Sequence, residues 1–276
     1  MMLWGNCKVK EKNKEGKKEE IDEADDLNLA QPFAYIVLDL EYVNPTRSLD
    51  SLVSMSSVLV LDRKIISTMP PEAQGKPSHD LTSDVPSEQL YHFHTLIRPA
   101  DLIFWNPFCV SQHQICQEQV RSSPSVRDAL VQWVAWLYRA AALAAGRIGS
   151  EDIHLCLVAH NGVSCDFDWL FNLTHRHNIS LPPNCVAYWD TLHSISRRPT
   201  HQFFQKAGND LFNLHRRIFG EAPTGMHCSL HDCLALARIL GNETFWQFRV
   251  SESNAPGIMP LSALWKGKRE KKMKIA

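Results

Sequence analysis

The 276-residue chain is 44% hydrophobic, enough for one well-packed core with tails and too little for two large domains. Its formal charge is −1, and between the charged ends it carries 17 basic against 21 acidic side chains. Bulk charge therefore excludes polyanion binding without cations or a local basic patch.

Eight cysteines occur with no CxxC pair, and a chain of this size does not need disulfide staples. Residues 1–30 lack a contiguous apolar segment, so no secretory signal is expected there. The expected setting is reducing and intracellular, cytoplasm or nucleus. No apolar run approaches about 18 residues, so no membrane partner is expected. Residues 1–30 mix 6 Lys with 8 Asp or Glu and read as a disordered tail. Residues 31–248 form the expected domain, and 249–276 form a basic tail that could serve as a nuclear address.

FAYIVLDL, Phe33–Leu40, is short, apolar and rich in β-formers, which predicts a buried strand. A second strand is expected within Leu52–Leu61. A Pro-containing excursion loop follows over 67–88. Leu90–Ile97 reads as a third strand, completing an antiparallel meander. Past Pro107 the period changes. Val110–Val120 is expected as one short helix, and Ser123–Ala145 as a longer one opened by Ser-Pro. Ile153–Ala159 is a fourth strand, Asp166–Asn178 a helix, and Cys185–Trp189 a fifth strand. Asp210–Phe219 and Cys228–Leu240 are helices expected to stop at Gly220 and Gly241. The fold class is α/β, one mixed five-stranded sheet flanked by helices.

Three acidic elements stand out along this order. Asp39 and Glu41 lie two apart at the end of the first strand, so they share a face. Two carboxylates there repel, and a hard divalent ion relieves them; taken alone, the pair reads first as a polar strand end in solvent. In AHNGVSCDFDWL, Asp166 enters a helix after a Gly turn, where capping is an alternative role. Asp168 competes with Asp166, and Asn161 and Gly162 build the turn. In HCSLHDCLALARIL, His227 and Asp232 are five apart and converge only if His227 lies on the loop and Asp232 on the helix. The HFH run at 92–94 and the HRH run at 175–177 lack partners at zinc-finger spacing and read as ordinary strand and helix residues.

Taken in this order, the D-x-E strand, the strand–turn–helix Asp and the His-x4-Asp helix opening resemble the DEDDh exonuclease family, of ribonuclease-H-like fold. The likeness runs over roughly Phe33–Leu240. It includes FHTLIRP and HQICQEQV, which is similar to the family's H-G-I-T-x-E-x-V segment. AHNGVSCDF is especially like three-prime repair exonucleases and bacterial proofreading subunits.

The resemblance implies a 3′→5′ exonuclease acting on single-stranded or frayed 3′ ends of DNA or RNA, with DNA favoured. It implies two divalent cations, Mg²⁺ or Mn²⁺, held by Asp39, Glu41, Asp166 and Asp232, with His227 as general base. By the same resemblance, Leu40, Tyr42, His113, Ile115 and Asn161 meet the nucleic acid. An exoribonuclease is the alternative within the class, and a catalytically inactive nucleic-acid-binding scaffold the alternative outside it. The chain departs from the family's pattern at Tyr42, where Thr is frequent, at Cys165, where an aromatic is usual, and at Ser229, where Ala is common.

Overall fold

The computed structural model describes residues 27, 31–46, 50–65, 91–100, 103–197, 208–250 and 257–264. The tail expected over 1–30 (Leu27 aside), the loop over 67–88 and residues 265–276 lie outside the described residues.

One mixed sheet organises the chain. β1 (Phe33–Tyr42) pairs antiparallel with β2 (Leu52–Leu61) and parallel with β5 (His154–Ala159). On its far side β2 carries β3 (Lys64–Ile65) and β4 (His92–Leu96), both antiparallel. β5 continues in parallel to β6 (Cys185–Asp190), and β7 (Met259–Pro260) closes that edge antiparallel. The five expected strands are all present. The two further strands have two residues each, too short to leave a hydrophobic period in the sequence. β7 also packs part of the segment read as a C-terminal tail onto the sheet, with Leu261 buried in the core.

The alternation of β1 explains the two layers. Ala34, Ile36, Leu38 and Leu40 join one core with Trp133, Trp136 and Leu137 of α3 (Val126–Ile148) and Phe167, Leu170 and Phe171 of α4 (Asp166–Arg176). Phe33, Tyr35 and Val37 face the other way, onto Cys233, Leu236 and Leu240 of α7 (Ser229–Gly241). The period of two continues past the apolar run, so Asp39 and Glu41 emerge on the α7 side. Both remain in strand pairing, opposite Ser56 and Ser54 of β2.

Helix ends follow side-chain chemistry. Ser125 caps α3 by accepting from Asp128 N, and Gly149 ends it at φ 74°. Asp210 and Gly220 bracket α6 (Leu211–Phe219) in the same way. The single helix expected over Val110–Val120 divides into α1 (Pro107–His113) and α2 (Gln117–Val120). Gln114 takes φ 58°, which ends α1, and His113 Nδ1 accepts the N–H of Ile115 at 3.0 Å. Gly241 is the last residue of α7 and not its terminator. Asn242 leaves the helix in an extended conformation and caps α8 (Glu243–Trp246) through Phe245 N. A short helix missing from the sequence reading, α5 (Thr191–Ser196), is capped by Asp190. Among the described residues no helix is long and apolar enough to cross a membrane.

Candidate active site

β1, β5 and β6 are parallel and end at one edge of the sheet, where helices and turns carry polar groups out of the core. Asp166 is the first residue of α4 and only 6% exposed, and its Oδ1 accepts the Leu40 N–H at 3.0 Å. That bond ties the α4 start to β1 between Asp39 and Glu41. Asp232 stands in the first turn of α7, also 6% exposed. His227 lies on the preceding loop, exposed, in the left-handed region at φ 63°. Its N–H donates to Asp232 Oδ2 at 3.0 Å. The loop-then-helix placement expected for this pair is the one observed.

The electrostatics show that the four carboxylates share one place. Asp39 has its pKa raised well above the ordinary value by burial, then by Asp166, Glu41 and Asp232. Burial, then Asp232 and Asp166, pushes Glu41 up to about 8. Asp166 rises to about 7, chiefly through burial, although backbone N–H groups including that of Leu40 favour its charge. Asp232 rises to about 6 by burial, against the pull of the His227 N–H. Four desolvated carboxylates with no cationic side chain among these influences are costly unless protonated or bound to cations. Asp232 Oδ1 is buried without a hydrogen-bond partner. One ligand atom each from Glu41, His227 and Asp232 lies within 4.8 Å of the others. The donor set therefore fits divalent cations.

The turn that delivers Asp166 is built by a residue the sequence reading passed over. Asp190, buried at the end of β6, accepts the N–H of Asn161 at 3.2 Å, of Val163 at 2.9 Å and of His193 at 3.1 Å. His160 joins the same corner, 2.9 Å from Thr191 Oγ1 and 2.7 Å from the Asn209 carbonyl. The signal for Asp190 was a carboxylate at a strand end followed by Thr, weak without neighbours in space. Gly162 is required by contact: a Cβ there would stand 2.6 Å from the Phe167 ring and 2.8 Å from Ala159 Cβ.

The expected nucleic-acid residues divide. Tyr42 stacks on Trp169, ring centroids 4.9 Å apart, and burial, then Cys165 and Asp166, pushes its phenol up to about 12. His113 ends α1 almost buried, and its Nε2 lacks a well-formed hydrogen bond. Burial lowers its pKa, the Tyr42 backbone partly offsets this, and His227 is near enough to lower it further. Ile115 packs against the small core of Val43, Val53, Ile103 and Val120. Asn161 sits at φ 68°, with its amide Nδ2 donating to Cys165 Sγ at 3.4 Å, a turn-building use. The Leu40 side chain is buried in the core and its N–H is taken by Asp166.

The departures also have places. Cys165 precedes α4 beside Asn161 and Tyr42. Ser229 joins Ser54 and Ser56 of β2 through hydroxyl contacts of 2.7 Å each, and Ser56 reaches His94 Nδ1 at 2.8 Å. His231 is exposed and lies over Gly225.

No family model and no curated protein matches the chain. Solved structures do. The nuclease domain of 3′hExo, a DEDDh family member bound to rAMP, aligns at TM-score 0.51 and 17% identity, covering 75% of this chain and 90% of that one. A full-length 3′-exonuclease aligns at TM-score 0.54 and 15% identity, covering 84% and 67%. The zinc-bound form of the E. coli ExoI–single-stranded DNA complex aligns at TM-score 0.52 and 12% identity, covering 78% of this chain. The chain spans 42% of that protein's length. The fold is that of the DEDDh-type, ribonuclease-H-like exonucleases.

Proposed function

We propose that the protein is a metal-dependent 3′→5′ exonuclease that hydrolyses terminal phosphodiester bonds of single-stranded or frayed strands, DNA favoured, and releases nucleoside 5′-monophosphates. One observation carries the reading. Asp39, Glu41, Asp166 and Asp232, drawn from three separate chain segments, are desolvated in a single cluster in which Asp166 and Asp232 push up both Asp39 and Glu41, with His227 hydrogen-bonded to Asp232 at its rim.

In this reading the four carboxylates hold two divalent ions, Mg²⁺ or Mn²⁺. When bound, these supply Lewis acidity to the attacking and leaving oxygens of the in-line displacement. The rest belongs to the chain's own side chains. His227 takes the proton of the attacking water, a task suited to imidazole at neutral pH. Its exposure on a loop lets the ring swing between solvent and the scissile phosphate. Asp232 anchors the His227 backbone and so limits that swing. Asp190 and Gly162 hold the turn that delivers Asp166, acting on the site only through it. Tyr42, His113, Ile115 and Asn161 border the path of the substrate strand.

Neighbours of this fold were solved with single-stranded DNA and with rAMP, which makes both sugars necessary arms of the test. DNA and RNA single strands are incubated with Mn²⁺, with Mg²⁺ and with EDTA, and products are separated by chromatography against nucleoside 5′- and 3′-monophosphate standards. The reading expects 5′-monophosphates with either metal and none with EDTA or with Asp39→Ala. Tight retention of uncut strands under every condition would instead identify a binding scaffold.

A further inference from the structure

A domain with more acidic than basic side chains needs a local basic patch to hold a polyanion. Such a patch stands at the sheet edge where β2 begins. The Ala100 N–H donates to the Asp50 carbonyl at 3.0 Å, and the Arg98 N–H donates to the Pro124 carbonyl at 2.8 Å. These bonds gather the segment after β4, the approach to β2 and the start of α3 around one cavity of about 270 Å³. Asp50, Arg98, Ser125, Arg127 and His177 line it. The Asp50 carboxylate is already paired with Arg176 and lies 3.1 Å from His177 Nε2. Ser125 and Asp128 cap each other at the start of α3, so the helix end is spent on the chain's own side chains. Arg98 and Arg127 are exposed, and among the described residues neither guanidinium has a hydrogen-bond or ion-pair partner. Two uncommitted cations therefore share one concave site.

We infer that Arg98 and Arg127 hold a backbone phosphate of the nucleic-acid strand upstream of the bond being cut; the inference deepens the nuclease reading above and rests on it. A guanidinium presents parallel N–H donors that match phosphate oxygens in pairs. The cavity falls short of the about 300–1,000 Å³ that encloses a whole small ligand, so it suits a group presented by a longer chain. Helix α4 measures the distance to the carboxylates. Its first residue, Asp166, is bonded to the Leu40 N–H, and its last, Arg176, is paired with Asp50 at the cavity. At about 1.5 Å per residue that helix separates the two sites by about 15 Å. A stacked strand rising about 3.4 Å per nucleotide covers the gap in about four or five nucleotides. Strands shorter than this reach the carboxylates without reaching the arginines.

The test uses the full chain in EDTA and fluorescent single DNA strands of about 12 and about 2 nucleotides, one longer and one shorter than the span. Affinity is read by anisotropy over a series of salt concentrations. Arg98→Ala and Arg127→Ala should each bind the long strand about tenfold more weakly and lower its salt slope by about 0.7, the value of one phosphate contact on a single strand. Arg127→Lys should keep the slope, because the charge remains, and lose part of the affinity, because the fork is gone. Lys64→Ala removes an exposed charge at the opposite end of β2 and should keep the parent's slope. Salt slopes equal to the parent's in both alanine variants, or an equal loss for long and short strands, overturn the inference while leaving the nuclease reading intact. Arginine-dependent binding of long strands by a parent that cuts none of them with Mn²⁺ supports the phosphate site and overturns the nuclease reading.

Discussion

Replacing Glu41 by Gln should stabilise the metal-free protein, the opposite of what loss of a structural carboxylate does. Glu41 rises from an ordinary 4.5 to about 8, first by burial and then by Asp232 and Asp166. A folded-state pKa above the unfolded value contributes stability that is fully present below pH 4.5 and is lost as pH rises through about 8. At about 1.4 kcal/mol per tenfold change, the full rise amounts to several kcal/mol. The repulsion is shared among four groups and Glu41 is partly exposed, so removing its charge recovers only a part, on the order of 2 kcal/mol above about pH 8. For a domain of this size that corresponds to a melting temperature higher by about 4–8 °C. The assay is thermal unfolding of parent and Glu41→Gln in EDTA at about pH 8.5 and about pH 5. The gain should appear at the higher pH and shrink at the lower one, where the parent's own Glu41 is protonated. Saturating Mn²⁺ at the higher pH should reverse the order, because the parent binds the ion more tightly. A variant that melts below the parent in EDTA at both pH values would show that Glu41 is not held in a repulsive cluster.

Three further outcomes follow from the geometry. Asp166→Ala should abolish turnover, whereas Asp168→Ala, two residues further along α4, should keep activity within about tenfold of the parent; the reverse order in steady-state rates would reassign the carboxylate. Gly162→Ala places a Cβ 2.6 Å from the Phe167 ring and should cost about 1–3 kcal/mol in denaturant unfolding, with reduced Mn²⁺ affinity because Phe167 follows Asp166; unchanged stability would mean the turn yields freely. Asp190→Ala strips the acceptor from three N–H groups and should cost about 2–4 kcal/mol, a loss measurable by the same unfolding curves and absent if solvent replaces the carboxylate.

Much of this arrangement was legible in the sequence because it rests on local period. The alternation of Phe33–Leu40 places Asp39 and Glu41 on one face, and the structure extends the strand through both. The loop ahead of α7 allows His227 to meet Asp232 across five residues, as the helical spacing required. What local pattern could not carry was contact between distant segments. The Leu40 N–H bonded to Asp166 joins residues 126 apart in sequence, and nothing near either one announces the bond. Asp190 is a single acid at a strand end until β6 is laid beside β5 and its oxygens meet the 161–163 turn. Gln114 broke an apparently continuous helix because a left-handed residue need not be glycine, and a polar side chain carries no strong signal for it. Two-residue strands such as β7 exist only through pairing with a neighbour.

The most direct test of the proposed activity is a time course with the same single strand labelled at its 3′ end or its 5′ end, with Mn²⁺ present. The account predicts that 3′ label leaves at once as mononucleotide while 5′-labelled strand shortens through a ladder, and that Asp232→Asn arrests both. Immediate release of 5′ label, or cleavage that begins inside the strand, would contradict it.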